Sequence, residues 1–440
     1  MNLKTLLVTK LIEFITSNWL KKVKRRLFLL HKTVNPSVDE ITFYLRVNDP
    51  YSYLLLQILP DFLASKEKRV SVEILLELNS DLNIEIDKQA DYALKDAKRL
   101  AKNNQFVFPE KTKLPKLENT QLATSILLAN NHPPEFLHLC RLVCDALWLQ
   151  QSDEFRTNQM ARLSQQYGKL TPSDAKQQLA HAKNKLHQQG HYQSGMLYYG
   201  GEWYWAIDRL WHLDKRLSSQ LFENETELPQ YLQQNTPLNL AKNTPPSKPQ
   251  IIDFYFSFRS PYSYLAAQRL FKLSHYSPNI VLNIKPILPM VMRGLKVPKS
   301  KKMYIVHDAK READRYHLPF GKIADPLGGG IERCMALFYF AKQYNKQNQL
   351  VDSISKGIWA EGIDTCSNEG LRQLVCRAGL DWDQAKLHLE TEDWKVHASN
   401  NQQDLDQIGL WGVPSFQYKS LVVWGQDRIA LLEQTLFQTP

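Results

Sequence analysis

The chain repeats itself. EITFYLRVNDPYSYL, from Glu40 to Leu54, returns as IIDFYFSFRSPYSYL, from Ile251 to Leu265. Two further pairs follow in the same order. YALKDAKRLAKNN (Tyr92 to Asn104) returns as YIVHDAKREADRY (Tyr304 to Tyr316), and YWAIDRLWHLDKRL (Tyr204 to Leu217) returns as VWGQDRIALLEQTL (Val423 to Leu436). The interval is about 210 to 220 residues throughout, far too long for a solenoid, and it marks a tandem duplication of one domain. With 440 residues, each copy is long enough for a core of its own.

The expected organisation is a basic N-terminal helix (residues 1–38), a first copy (39–234), a linker (235–250) and a second copy (251–440). The linker, NTPLNLAKNTPPSKPQ from Asn235 to Gln250, has the Pro, Asn and Lys content of an exposed connection.

In the second copy, Ile251 to Phe258 has the aromatic and β-branched character of a strand. Ser260-Pro261 then opens a helix, Ser as N-cap and Pro at the first helical position, where its missing N–H costs nothing. Ile280 to Ile287 is the next strand. Helical periodicity runs from about Lys301 to Leu405 and includes NEGLRQLVCRAGL, which stops at Gly379. Strands SFQYK and LVVW and a helix from Gln426 close the chain. The order β-α-β, helical insertion, β-β-α is that of an α/β protein with two tandem thioredoxin-like domains.

DFYFSFRSPYSYLA, GVPSF and WGQDRIALLEQTL, in that order, resemble the DsbA-like branch of the thioredoxin superfamily. Within it they are most similar to 2-hydroxychromene-2-carboxylate isomerases and kappa-class glutathione transferases. The resemblance is specific from Ile251 onward and degenerate from about Asp39 to Gln233. Where the oxidoreductases carry a C-x-x-C dithiol this chain has SPYS, Ser260 to Ser263, so dithiol–disulfide exchange is not available there. The resemblance implies a glutathione-dependent isomerase or transferase acting on a small aromatic or conjugated carbonyl substrate. Ser260 would stabilise the glutathione thiolate at a helix N-terminus, the helix end and the hydroxyl each contributing about 1 kcal/mol. Pro261 and Tyr262 would flank it. Val413 and Pro414 of GVP would form a cis-proline loop that pairs with the peptide backbone, and Gln426 with Asp427 would hold the γ-glutamyl end.

One segment departs from the family. Many relatives place an asparagine before a Pro-Pro pair after the second strand. Here MRGLKVPKSKKMY is shorter, lacks it, and carries Arg293, Lys296, Lys299, Lys301 and Lys302. Those cations suit either a carboxylate ligand or a solvated loop.

The first copy serves as an internal control. Asp49 replaces the serine, Gly195 stands where the loop proline should be, and Ile207 replaces the glutamine, while Asp208-Arg209 persist. Asp49 caps a helix as well as serine does, but its charge would raise the pKa of a neighbouring thiol. This copy is expected to be a structural partner that pairs with the second. Its aromatic cluster, Tyr198, Tyr199, Trp203, Tyr204 and Trp205, is expected to pack a core or an inter-domain face.

The rest of the composition sets outer limits. A formal charge of +10 favours anionic ligands or simply solubility; no nucleic-acid motif, phosphate loop or metal-ligand cluster accompanies it, and neither nucleic acid nor metal is expected. Cys140, Cys144, Cys334, Cys366 and Cys376 form no disulfide pattern, and a reducing, cytoplasmic compartment is expected. No apolar run approaches the roughly 18 residues of a spanning helix. The first 35 residues form a basic amphipathic helix, suited either to an anionic membrane surface or to packing on the protein body. A non-catalytic thioredoxin-fold module that binds proteins or peptides, and associates with a membrane surface through that helix, is the alternative function.

Overall fold

The computed structural model describes residues 3–78, 85–131, 135–150, 152–221 and 243–437. The chain divides into two compact units. One is Arg25–Gln234; the other joins Met1–Lys24 to Asn235–Pro440. Residues 235–242 of the expected linker lie outside the described residues.

The N-terminal segment is two helices rather than the expected one, α1 (Leu3–Ile15) and α2 (Asn18–Val34). The reason is local. The Thr16 hydroxyl bonds back to the Ile12 carbonyl at 2.7 Å, and the Ser17 hydroxyl accepts the Leu20 N–H at 3.2 Å, ending one helix and starting the next.

In the Arg25–Gln234 unit, β1 (Glu40–Arg46) leads into α3 (Pro50–Ser65) and β2 (Arg69–Leu75). A helical insertion follows: α4 (Ile86–Asn104), α5 (Leu117–Ala129), α6 (Phe136–Trp148), α7 (Asp153–Tyr167) and α8 (Pro172–Gln188). The hairpin β3 (Met196–Tyr199) and β4 (Glu202–Trp205), a 3₁₀ turn (Ile207–Arg209) and α9 (Leu210–Leu221) close it. The sheet order is β2-β1-β3-β4, with β1 parallel to β2 and antiparallel to β3. β1 is a near-continuous apolar run because it is central and covered on both faces. Tyr199 and Tyr204 are fully buried in this core, so the aromatic cluster is packing.

The other unit repeats the plan. β5 (Gln250–Phe256), α10 (Pro261–Tyr276) and β6 (Ile280–Pro286) form the first half. The insertion comprises α11 (Lys299–Arg315), α12 (Gly329–Gln343), α13 (Gln347–Lys356) with a π-helical turn at Gly357–Glu361, α14 (Asn368–Arg377), α15 (Trp382–Lys386) and α16 (Trp394–Gln407). β7 (Ser415–Tyr418), β8 (Leu421–Trp424) and α17 (Ile429–Phe437) complete it. The order is β6-β5-β7-β8. β5 ends at Phe256, two residues short of the expected Phe258, because a turn closes there: the Ser260 N–H bonds the Ser257 carbonyl at 3.0 Å. Gln426 does not begin the last helix directly; Gln426–Arg428 is a 3₁₀ turn ahead of α17.

Candidate active site

The end of β5 delivers the chain to Ser260 in an extended conformation (φ −104°, ψ 114°), and Pro261 starts α10. The Ser260 oxygen accepts the Ser263 N–H at 3.1 Å, which is the cap its position predicts. Its own proton points toward the Val413 carbonyl at 3.4 Å, a long and weak hydrogen bond. Ser260 is partly exposed, Pro261 is buried, and the N–H groups of the first turn of α10 face the same place.

Facing Ser260 is the loop before β7. Val413–Pro414 is a cis peptide bond. The Gly425 N–H donates to the Pro414 carbonyl at 2.8 Å, and the Ser415 hydroxyl to the Gly412 carbonyl at 2.7 Å. Gly412 lies against the Trp424 indole, where a Cβ would come within 2.9 Å of Nε1. Among the described residues the Val413 N–H has no hydrogen-bond partner, and Val413 is half-buried. The backbone here offers a short edge for β-pairing. Arg293 reaches the same loop, donating to the Trp411 carbonyl at 3.3 Å and to Gln402 Oε1 at 2.7 Å. Of the five cations in that basic segment, Arg293 is thereby placed at the site's edge. On α11, burial pushes the Lys301 ammonium down to about 8.

Tyr262 is committed elsewhere. Its hydroxyl donates to Asp308 Oδ2 at 2.6 Å, and Arg311 Nε holds Asp308 Oδ1 at 2.7 Å. Arg259, one residue before Ser260, makes a bidentate pair with Asp325, both contacts at 2.7 Å.

Gln426 and Asp427 lie in a buried polar cluster. Gln426 is 1% exposed and Asp427 9%. Gln426 Nε2 donates to Glu312 Oε2 at 2.9 Å and to Asp427 Oδ1 at 2.5 Å. Arg269 Nη1, from α10, donates to the Gln426 carbonyl at 3.1 Å and to its Oε1 at 3.3 Å. The guanidinium also lies 4.5 Å from the centre of the Tyr316 ring, whose hydroxyl burial pushes up to about 12. So the Gln426 amide is occupied by protein partners. Asp427, the more exposed member of the pair, accepts the Gln426 amide through Oδ1. Ser260 and Arg269 are nine residues apart on α10, about 13 Å along its axis.

The first copy has the same backbone with different contents. The Ala206 N–H donates to the Gly195 carbonyl at 2.7 Å, as Gly425 does to Pro414, which confirms Gly195 as the counterpart of the loop proline. Asp49 is buried, accepts the Tyr51 N–H at 3.1 Å, and takes the hydroxyls of Ser52 at 2.8 Å and Ser194 at 3.0 Å. A Cβ on Gly195, at φ +67°, would come within 3.0 Å of that carboxylate. Where Ser260 is partly exposed, Asp49 is buried and internally bonded.

The local rules of sequence reading missed the side chains that brace the site. Trp359 Nε1 donates to the Phe258 carbonyl at 3.1 Å, and Trp148 Nε1 to the Val47 carbonyl at 2.9 Å. Tyr51 bonds Asp96 at 2.8 Å just as Tyr262 bonds Asp308. The signal was present in the repeated sequence: both stretches keep the tyrosine after the capped proline and the aspartate of the DAK triplet.

Residues 251–437 match the family of DsbA-like thioredoxin domains. The 2-hydroxychromene-2-carboxylate isomerase of Pseudomonas putida is 28% identical over 201 residues, which cover 42% of this chain and 94% of that enzyme. The isomerase of the same name from Sphingobium xenophagum is 28% identical over 193 residues, 42% of this chain and 97% of its own. A solved structure of a 2-hydroxychromene-2-carboxylate isomerase is 26% identical and covers 42% of this chain and 94% of that one, with a TM-score of 0.37. The C-terminal half of the chain is a DsbA-like thioredoxin domain.

Proposed function

We propose that this DsbA-like domain is a glutathione-dependent isomerase acting on a small aromatic or conjugated carbonyl compound, of the kind represented by 2-hydroxychromene-2-carboxylate. The observation that carries the reading is the state of the Ser260 hydroxyl. Its oxygen is engaged as a helix cap at 3.1 Å, but its proton rests on a carbonyl 3.4 Å away and is free to turn toward an anionic sulfur.

Bound glutathione would supply a thiol that adds reversibly to a conjugated double bond, so that the bond can rotate before the thiol leaves. The chain's own residues would do the rest. Ser260 and the first-turn N–H groups of α10 would lower the thiol's pKa from its ordinary value near 8.5, each contribution being about 1 kcal/mol. The unpaired Val413 N–H would pair with the peptide's main chain, and buried Pro414 would hold that edge in place. Asp427 would receive the α-ammonium, with Gln426 and Arg269 holding the turn that presents it. Arg293 would face a carboxylate of the substrate or the peptide.

A thermal-shift titration with millimolar glutathione, paired with a chromatographic assay on 2-hydroxychromene-2-carboxylate, tests this. The wild type is expected to be stabilised and to isomerise the compound, with Asp427→Ala losing most of the shift. A wild type left unshifted and inactive overturns the proposal.

A further inference from the structure

Helix α2 is amphipathic in an inverted sense. Three of its charged side chains turn toward the protein. Lys21 pairs with Asp314 in one unit; Arg25 with Glu202 and Lys32 with Asp39 in the other. The large apolar side chains turn outward: Trp19 is 63% exposed, Leu27 60%, Leu30 65% and Val34 85%. At about 100° per residue these four fall within one quarter of the helix circumference. Lys22 and Arg26 flank that stripe on one side and Lys24 on the other. All three are exposed and make no ion pair among the described residues.

Helix α1 has the same design. Thr9 bonds the Ile323 carbonyl at 2.8 Å and Ile12 packs on the core of its unit, while Glu13 lies 3.9 Å from Lys322. On the opposite face Leu7, Leu11 and Phe14 are more than half exposed, with Lys10 beside them. Phe14 and Trp19 lie 6.1 Å apart, joining the two apolar stripes across the Thr16–Ser17 break.

Soluble monomers rarely leave a contiguous apolar stripe of this extent uncovered. A stripe bordered on both sides by unpaired cations fits one class of partner: an apolar layer beneath a sheet of negative charge. No helix among the described residues is long and apolar enough to cross a membrane. We propose that α1 and α2 lie in the plane of an anionic phospholipid bilayer surface. Leu7, Leu11, Phe14, Trp19, Leu27 and Leu30 would enter the acyl boundary, and Lys22, Lys24 and Arg26 would meet the headgroups. Anchoring is built into the fold, since the paired inner face of each helix is held while the apolar face stays outward. Within one unit, α1 grips the segment that ends at Asp325, the partner of Arg259 beside Ser260. The inner face of α1 is thereby linked to the segment that braces Arg259 beside Ser260.

Co-sedimentation of the full chain with vesicles tests this without reference to catalysis, so its failure is distinct from failure of the isomerase reading. The wild type is expected to pellet with phosphatidylcholine vesicles containing phosphatidylglycerol at low ionic strength, and to be released by salt. Pure phosphatidylcholine should bind far less. Leu11→Ser with Phe14→Ser, and Leu27→Ser with Leu30→Ser, should abolish pelleting with the melting temperature unchanged. Lys22→Glu with Arg26→Glu should weaken it by about fivefold or more per cation, the factor equivalent to about 1 kcal/mol each. A wild type that stays in the supernatant overturns the proposal. So does a wild-type dimer that the serine pairs convert to monomer in the absence of vesicle binding, which would assign the stripe to a second copy of the chain.

Discussion

Tyr262 donates its hydroxyl to the Asp308 carboxylate at 2.6 Å, and the same bond joins Tyr51 to Asp96 in the other copy at 2.8 Å. Its presence in both repeats, one with Ser260 and one with Asp49 at the cap, fits a scaffold role: it ties the first turn of the capped helix to the first helix of the insertion. Tyr51→Phe should destabilise its unit by about 2 kcal/mol, because the carboxylate it leaves is buried; Tyr262→Phe should cost about 1 kcal/mol, because Asp308 keeps Arg311 and the bond is partly exposed. Urea unfolding of each variant measures both. A glutathione affinity that collapses in Tyr262→Phe with stability intact would move Tyr262 back among the ligand contacts.

Ser260 and Asp49 are the same element with opposite electrostatics. Ser260→Asp keeps a capping oxygen, so its stability should stay within about 0.5 kcal/mol of wild type. The added carboxylate opposes a thiolate, and isomerisation should fall at least tenfold, the equivalent of about 1.4 kcal/mol. Ser260→Ala should lose about 1 kcal/mol of stability along with the rate. The two variants separate capping from chemistry. Full activity in a folded Ser260→Asp protein would remove Ser260 from the mechanism.

Gly195 stands at φ +67° with Asp49 Oδ2 3.0 Å from where a Cβ would be. Gly195→Ala should therefore destabilise the Arg25–Gln234 unit by about 1–2 kcal/mol from the left-handed backbone alone. Asp49→Ala removes the helix cap as well as the contact, so the double variant should lose less than the sum of the two single losses while the backbone strain remains. Thermal unfolding of the single and double variants reads the difference.

Lys301 titrates near 8 in the folded chain because burial disfavours its charged form, against an ordinary value of 10.5. Below pH 8 it is protonated in both folded and unfolded states, and the folded state bears the full cost of the buried charge. Between pH 8 and 10.5 the unfolded chain binds a proton that the folded chain does not, so stability rises with pH across that window. Lys301→Met should raise stability at pH 7 and flatten the rise above pH 8. Parallel pH profiles of unfolding for the two proteins test the sign; identical slopes would refute it.

Much of the fold was legible because its signals are local and were written twice. The capped prolines at Pro50 and Pro261, the apolar runs that became β1 and β5, and the GVP loop each depend on a few adjacent residues. Two copies at a constant interval turned those signals into domain positions. The break between α1 and α2 was harder to see, since it rests on Thr16 and Ser17 hydroxyls bonding backbone within an otherwise helical pattern.

The chain of residues by itself determined the charge at the shared helix end, a carboxylate at Asp49 and a hydroxyl at Ser260, and the proposed function rests on that difference. Tertiary structure alone decided three other matters. It set the Ser260 hydroxyl 3.4 Å from the Val413 carbonyl, loosely enough to be redirected, across 153 residues of chain. It enclosed Gln426 among Glu312, Asp427 and Arg269. And it turned Lys21, Arg25 and Lys32 of α2 inward and Trp19, Leu27 and Leu30 outward. Helical periodicity shows that a helix has two faces. Which face meets protein depends on whether acidic partners such as Asp314 and Glu202 are waiting there, and only the folded chain brings them to it.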